Sequence, residues 1–195
     1  MLIFKYAYAE RIEFAMELPV ERIFSLKYKD KAAIAKIALG AMAAAFELAS
    51  KRVPELQKEL KSWDNGRTFA LGVLAKGPGI TMRNENGVIK LIGEGVREGT
   101  DVVFYFKNID SALMVFAGMM GAHTASIQHR TIVHGDIGMG MEALRVMNIV
   151  QAYLFPGFIL KKTFKTPPKM NGAQMLTKIG IMASLAPVMI ANGSK

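Results

Sequence analysis

No cysteine occurs among the 195 residues. Disulfides, thiolate metal ligands and cysteine nucleophiles are therefore excluded. The same absence suits a reducing compartment, and a cytoplasmic location is the expectation. Tryptophan occurs once and histidine three times, and no acidic residue lies between 158 and 195. Apolar runs stop short of the ~18–20 residues that cross a bilayer. Ile179 to Ala191 is interrupted by Ser184 and contains Pro187, and the Ala-rich run Ala32 to Ala49 carries Lys36 and Glu47. Both read as buried or interfacial helices. The N-terminal segment lacks the basic, apolar, small-residue order of a signal peptide, so none is expected.

What is present is ample material for a core. Apolar residues make up 51% and charged residues 21%, with a mean hydropathy of +0.23. A chain of this length buries about 70% of its unfolded surface without staples. The net charge of +9 is unevenly spread. Residues 1–62 carry +3, residues 63–157 are neutral, and residues 158–195 carry +6 from six lysines. Cations beside an apolar helix suit an anionic membrane surface, and also a solubilising tail that shields a docked helix. The middle of the chain has no basic patch interleaved with aromatics, so nucleic acid is not expected as a partner.

The chain divides into 1–62, 63–157 and 158–195. In the first part Asp30 is the expected N-cap of a helix over Lys31 to Lys51, and Pro54 opens a second helix. In the second, four strands are expected at Arg67 to Ala75, Ile80 to Arg83, Val88 to Gly93 and Asp101 to Lys107. Asn86-Gly87 marks a hairpin between the second and third. Val102, Phe104 and Phe106 share one strand face. Asn108 caps an amphipathic helix through Ile109, Ala112, Leu113, Phe116, Met119 and Met120. The segment Ile127 to Arg130 is ambiguous. Thr131 to Ile137 reads as a fifth strand, and Glu142 to Leu154 as a helix ending at Phe155-Pro156-Gly157. A Lys/Pro linker, Lys161 to Lys169, leads to a last helix over Ala173 to Ala191, which Pro187 should kink or end. Helices, then a strand meander, then helix, strand and helices argue an α+β fold: a five-stranded, largely antiparallel sheet covered by helices.

Few residues suggest chemistry. Glu94, Glu98 and Asp101 lie near a turn and read as surface charge. His123, His129 and His134 lack the spacing of a helical ligand pair, so no metal is expected. Gly135-Asp-Ile-Gly138-Met-Gly140 follows a strand and precedes a helix, but it has the spacing of neither phosphate-binding loop. Ten of the 14 methionines fall from Met114 onward. They fit either an ordinary core or an adaptable apolar cavity.

Residues 67–155 resemble the sterol carrier protein 2 (SCP-2) lipid-binding family. The resemblance rests on the strand after Trp63-Asp64-Asn65-Gly66, the hairpin, the strand Asp101 to Lys107 and the helix Asp110 to Gly118. Val133-His134-Gly135-Asp136 and the helix ending Leu154-Phe155-Pro156 complete it. The N-terminal helices and the basic C-terminal extension lie outside the minimal family domain. The resemblance implies a hydrophobic tunnel between sheet and helices that takes fatty acids, acyl-CoA, sterols or isoprenoid lipids, no cofactor, and no enzymatic activity. The residues expected to line it are Phe104, Phe106, Phe116, Met120, Leu144 and Met147, with Met182, Leu185 and Met189 of the last helix as a cap. The expected partners are a hydrophobic lipid, an anionic membrane surface bound peripherally through the tail, and a second copy of the chain. Two other readings stay open. One is a ligand-free accessory module for a lipid- or quinone-metabolising enzyme, docking through the C-terminal helix. The other is an enzyme using His134 and Asp136.

Overall fold

In the computed structural model, residues 23–164 and 166–193 are described, without the side chains of 162 and 186–193. Five strands and seven longer helices follow in the order α1 (Tyr28–Arg52), α2 (Pro54–Leu60), β1 (Thr68–Val73), β2 (Gly79–Glu85), β3 (Val88–Glu94), β4 (Val102–Phe106), α3 (Ile109–Phe116), α4 (Ala122–Ile127), β5 (Thr131–Gly135), α5 (Ile137–Leu154), α6 (Gly157–Thr163) and α7 (Gly172–Gly193). The strands form one sheet in the order β3-β2-β1-β4-β5. Every pairing is antiparallel except β1 with β4, which is parallel. The α+β class and the five strands agree with the sequence reading.

Strand alternation gives the sheet one apolar face. Phe69, Leu71 and Val73 of β1, Ile80 and Met82 of β2, and Val102, Phe104 and Phe106 of β4 are all buried in one cluster. Helices cover that face. α1 passes the length and composition test for a membrane span. Here it is instead the central core helix, burying Ala35, Leu39, Met42, Phe46 and Ala49, and it packs on β2, β3, α3 and α7. Three ion pairs hold charges along it: Lys31 with Asp110 at 2.8 Å, Lys36 with Glu94 at 2.9 Å, and Glu47 with Lys51 at 2.5 Å. On the other face the segment between β3 and β4 crosses the sheet. It is held there by the Arg97 amide donating to Thr81 Oγ1 at 3.0 Å and by the Thr81 hydroxyl donating to the Gly95 carbonyl at 2.8 Å.

Local signals explain most boundaries. Asn86 and Gly87, with φ of 52° and 84°, make the two-residue turn of the β2–β3 hairpin. The Asn108 side chain accepts from the Ser111 amide at 2.8 Å, and Pro54 opens α2. Five expectations are corrected. α1 begins at Tyr28, so Asp30 lies in its first turn rather than at its N-cap; a carboxylate there still favours the positive end of the helix dipole. α3 stops at Phe116 instead of reaching Met120, and the amides of Met119 and Met120 both return to the Met114 carbonyl. The ambiguous stretch ends the short helix α4. α5 starts five residues early, at Ile137. The linker yields its first residues to α6, and α7 runs on through Pro187 to Gly193. A proline removes one helical hydrogen bond; here the flanking turns continue the helix.

Candidate functional site

α5 ends at a proline, and that detail organises the neighbourhood of a cleft. The last carbonyls of a helix have no intrahelical donor. The Ala152 carbonyl would need the amide of residue 156, which is Pro156 and has none. Lys178 of α7 fills the gap, its Nζ donating to the Ala152 oxygen at 2.8 Å. Lys178 is 5% exposed, and this burial pushes its pKa down to about 8. α7 is thereby fastened to the end of α5. Asn171 and Gln174 cap the start of α7, the Gln174 amide donating to Asn171 Oδ1 at 2.9 Å and the Asn171 amide to Gln174 Oε1 at 2.7 Å.

Between these two helices and the segment that joins them lies a cleft of about 280 Å³. Ile149, Ala152, Phe164, Pro168 and Met170 form its apolar wall, and Glu55, Asn148, Tyr153, Lys169 and Gln174 add polar groups. The Tyr153 hydroxyl donates to Glu55 Oε2 at 3.3 Å, and Gln174 Nε2 donates to the other Glu55 oxygen. Burial, followed by the negative charge of Glu55, pushes the Tyr153 phenol up to about 12. The phenol therefore stays a neutral donor. Asn148 Oδ1 is buried with no protein hydrogen-bond partner among the described residues. The arrangement offers an apolar slot with a polar end. Acid–base or covalent chemistry is not evident in it.

The residues expected to line a tunnel lie elsewhere. Phe104, Phe106, Phe116, Met120, Leu144, Met147 and Leu185 are all buried in the single large core cluster, with Phe106 and Phe116 edge-to-face at 5.1 Å. Met182 is half-buried, and the side chain of Met189 lies outside the described residues. None of these lines the cleft, whose floor on α5 begins one residue beyond Met147. Sequence reasoning missed Glu55, Tyr153 and Gln174, and it counted Lys178 among the membrane-facing lysines of the tail, whereas Lys178 is buried on the Ala152 carbonyl. Glu55 and Tyr153 are 98 positions apart and belong to no motif. The Pro156 signal was visible, since it orphans a carbonyl, but nothing in the sequence says which cation answers it.

The tempting loop proves structural. Asp136 caps α5, its side chain accepting from the Met139 amide at 2.8 Å. Gly138 and Gly140 lie inside the helix, and a Cβ on Gly140 would stand 3.1 Å from Val133 Cγ1. His134 is exposed and stacks edge-on with Tyr105 at 5.4 Å. Among the described residues no three metal-binding side chains gather. A second cleft, lined by Gly72, Lys76, Gly77, Gly79, Val96 and Tyr105 among others, lies at the end of β1; the Val96 and Tyr105 side chains crowd Gly72 there.

No family model and no curated protein matches the chain. Solved structures do. A UbiJ-SCP2 ubiquinone synthesis protein is 11% identical over 60% of this chain and 96% of its own, with a TM-score of 0.41. The sterol carrier protein 2 like 2 of Aedes aegypti is 14% identical over 51% and 95%, with a TM-score of 0.34. A conserved hypothetical protein of Thermus thermophilus, named as a candidate sterol carrier protein, is 17% identical over 56% and 85%, with a TM-score of 0.39.

Proposed function

We propose that this protein binds a hydrophobic lipid non-covalently, at the cleft between α5 and α7, and acts as a carrier or presenter rather than as an enzyme. The observation that supports this most is the slot itself: an apolar wall of Ile149, Ala152, Phe164, Pro168 and Met170 beside the hydrogen-bonded group Tyr153, Glu55 and Gln174. Amphiphile sites combine an apolar lining with a few placed polar groups. Each CH₂ moved from water into such a slot gains ~0.8 kcal/mol. The volume, about 280 Å³, lies at the low end of small-molecule sites, roughly 300–1,000 Å³. A single fatty acyl or isoprenoid chain suits it better than a fused-ring sterol.

The test is a titration with a fluorescent fatty acid. Wild-type protein should bind saturably at one site. Met170→Trp, which fills the slot from a half-buried position on the linker, should weaken binding at least tenfold with an unchanged circular dichroism spectrum. Equal affinity in the folded variant would move the site away from this cleft.

A further inference from the structure

The structure separates the two faces of α7, and the outward one has no protein covering it among the described residues. Ile181 and Leu185 point into the core and Lys178 is tied to α5. Leu176, Ile179 and Met175 point out, at 72%, 55% and 48% exposure, and exposed Ala183 continues the row. Positions 176, 179 and 183 recur at the helical period, with 175 beside them, so they form one stripe. Ile179 is exposed where Leu185 is buried, so the two lie on different sides of α7.

We propose that this stripe docks the protein on an anionic membrane surface, with the mouth of the cleft beside the bilayer. Charge complementarity supports this occupant. Residues 158–195 contain no Asp or Glu and, besides the buried Lys178, five lysines, of which Lys161 and Lys169 are exposed on α6 and on the segment entering α7. No acidic residue stands in the first turn of α7, so the positive end of its dipole is not offset from within the helix. α6 adds Phe158, also exposed. Glu55 of α2, beside the start of α7, keeps its charge and accepts from Tyr153 and Gln174. Exposed leucine, isoleucine and methionine enter the acyl boundary while lysines meet the headgroups, the two ingredients of interfacial binding. The cleft borders on the same segment: Lys169, Met170 and Gln174 line it. The docking stands whether or not the cleft carries a lipid.

The experiment is co-sedimentation of the full chain with phosphatidylcholine vesicles and with vesicles containing 30% phosphatidylserine, at low and high salt, beside fatty-acid titration without vesicles. Wild-type protein should favour the anionic vesicles, with binding that falls as salt rises. Leu176→Glu/Ile179→Glu should lower that binding at least tenfold while leaving vesicle-free fatty-acid affinity within about twofold. Lys161→Gln/Lys169→Gln should lower it by about fivefold per lysine. Equal binding to both vesicle types, or no sedimentation of the wild type, would overturn the proposal. So would a concentration-dependent dimer that the double glutamate variant abolishes, which would make the stripe a protein contact. Lost fatty-acid binding with intact vesicle binding would instead count against the cleft.

Discussion

Lys178 shows most clearly how one side chain can serve structure at a cost. Its ammonium is buried against the end of α5 because Pro156 leaves the Ala152 carbonyl without a donor. Burial disfavours the charged form, which is why its pKa falls to about 8 from the ordinary 10.5. Between those values the unfolded chain holds the proton and the folded chain does not. Folding stability therefore rises with pH across that window, and below about pH 8 the penalty is fully present. Lys178→Met removes the titration. The stability of the wild type relative to this variant should move in favour of the wild type by about 1–3 kcal/mol between pH 7.5 and 10.5. Urea unfolding of both proteins across that range checks it. Parallel pH curves would show that the amine is solvated.

At the scale of elements, the joint between β5 and α5 explains the Gly-Asp pair that suggested a functional loop. Gly135 has a φ of +101°, and a Cβ there would stand 2.0 Å from the Asp101 carbonyl oxygen. Asp136 then caps α5. Gly135→Ala should cost about 3 kcal/mol or more, while Asp136→Asn should cost under about 1 kcal/mol because asparagine caps as well. Thermal unfolding of both reads the contrast, and a near-silent Gly135→Ala would contradict the placement. Elements of this kind were legible in the sequence because their causes are local: the Asn86-Gly87 turn, the Asn108 cap, the alternation of Val102, Phe104 and Phe106, and the proline at the start of α2. Boundaries set by distant contacts were not. The start of α5 is one: although Asp136 caps it locally, Gly138 and Gly140 in its first turns read as a loop, and Gly140 is helical where it packs on Val133 of β5. The cleft was illegible for the same reason. Its polar end joins Glu55, Tyr153 and Gln174 from three helices, and its wall includes Phe164 and Pro168 from a stretch that reads only as a basic linker. The aromatic and methionine side chains expected to contact a ligand are buried in the core cluster, where periodicity marks a buried face without telling what it faces.

At the scale of the molecule, one apolar cluster runs from Ala35 of α1 through the sheet to Leu185 of α7, so the N-terminal helices and the C-terminal helix close the same core as the strands. The basic tail is then both a structural cover and the margin of a cleft that pairs an apolar wall with hydrogen-bonded polar residues. Native mass spectrometry of the intact protein, incubated with a mixture of fatty acids and isoprenoid alcohols and then desalted, tests the central claim most directly. The account predicts a one-to-one adduct with a single-chain lipid, strongly reduced for Met170→Trp. A wild-type spectrum showing only the bare polypeptide mass under conditions that preserve the fold would contradict it.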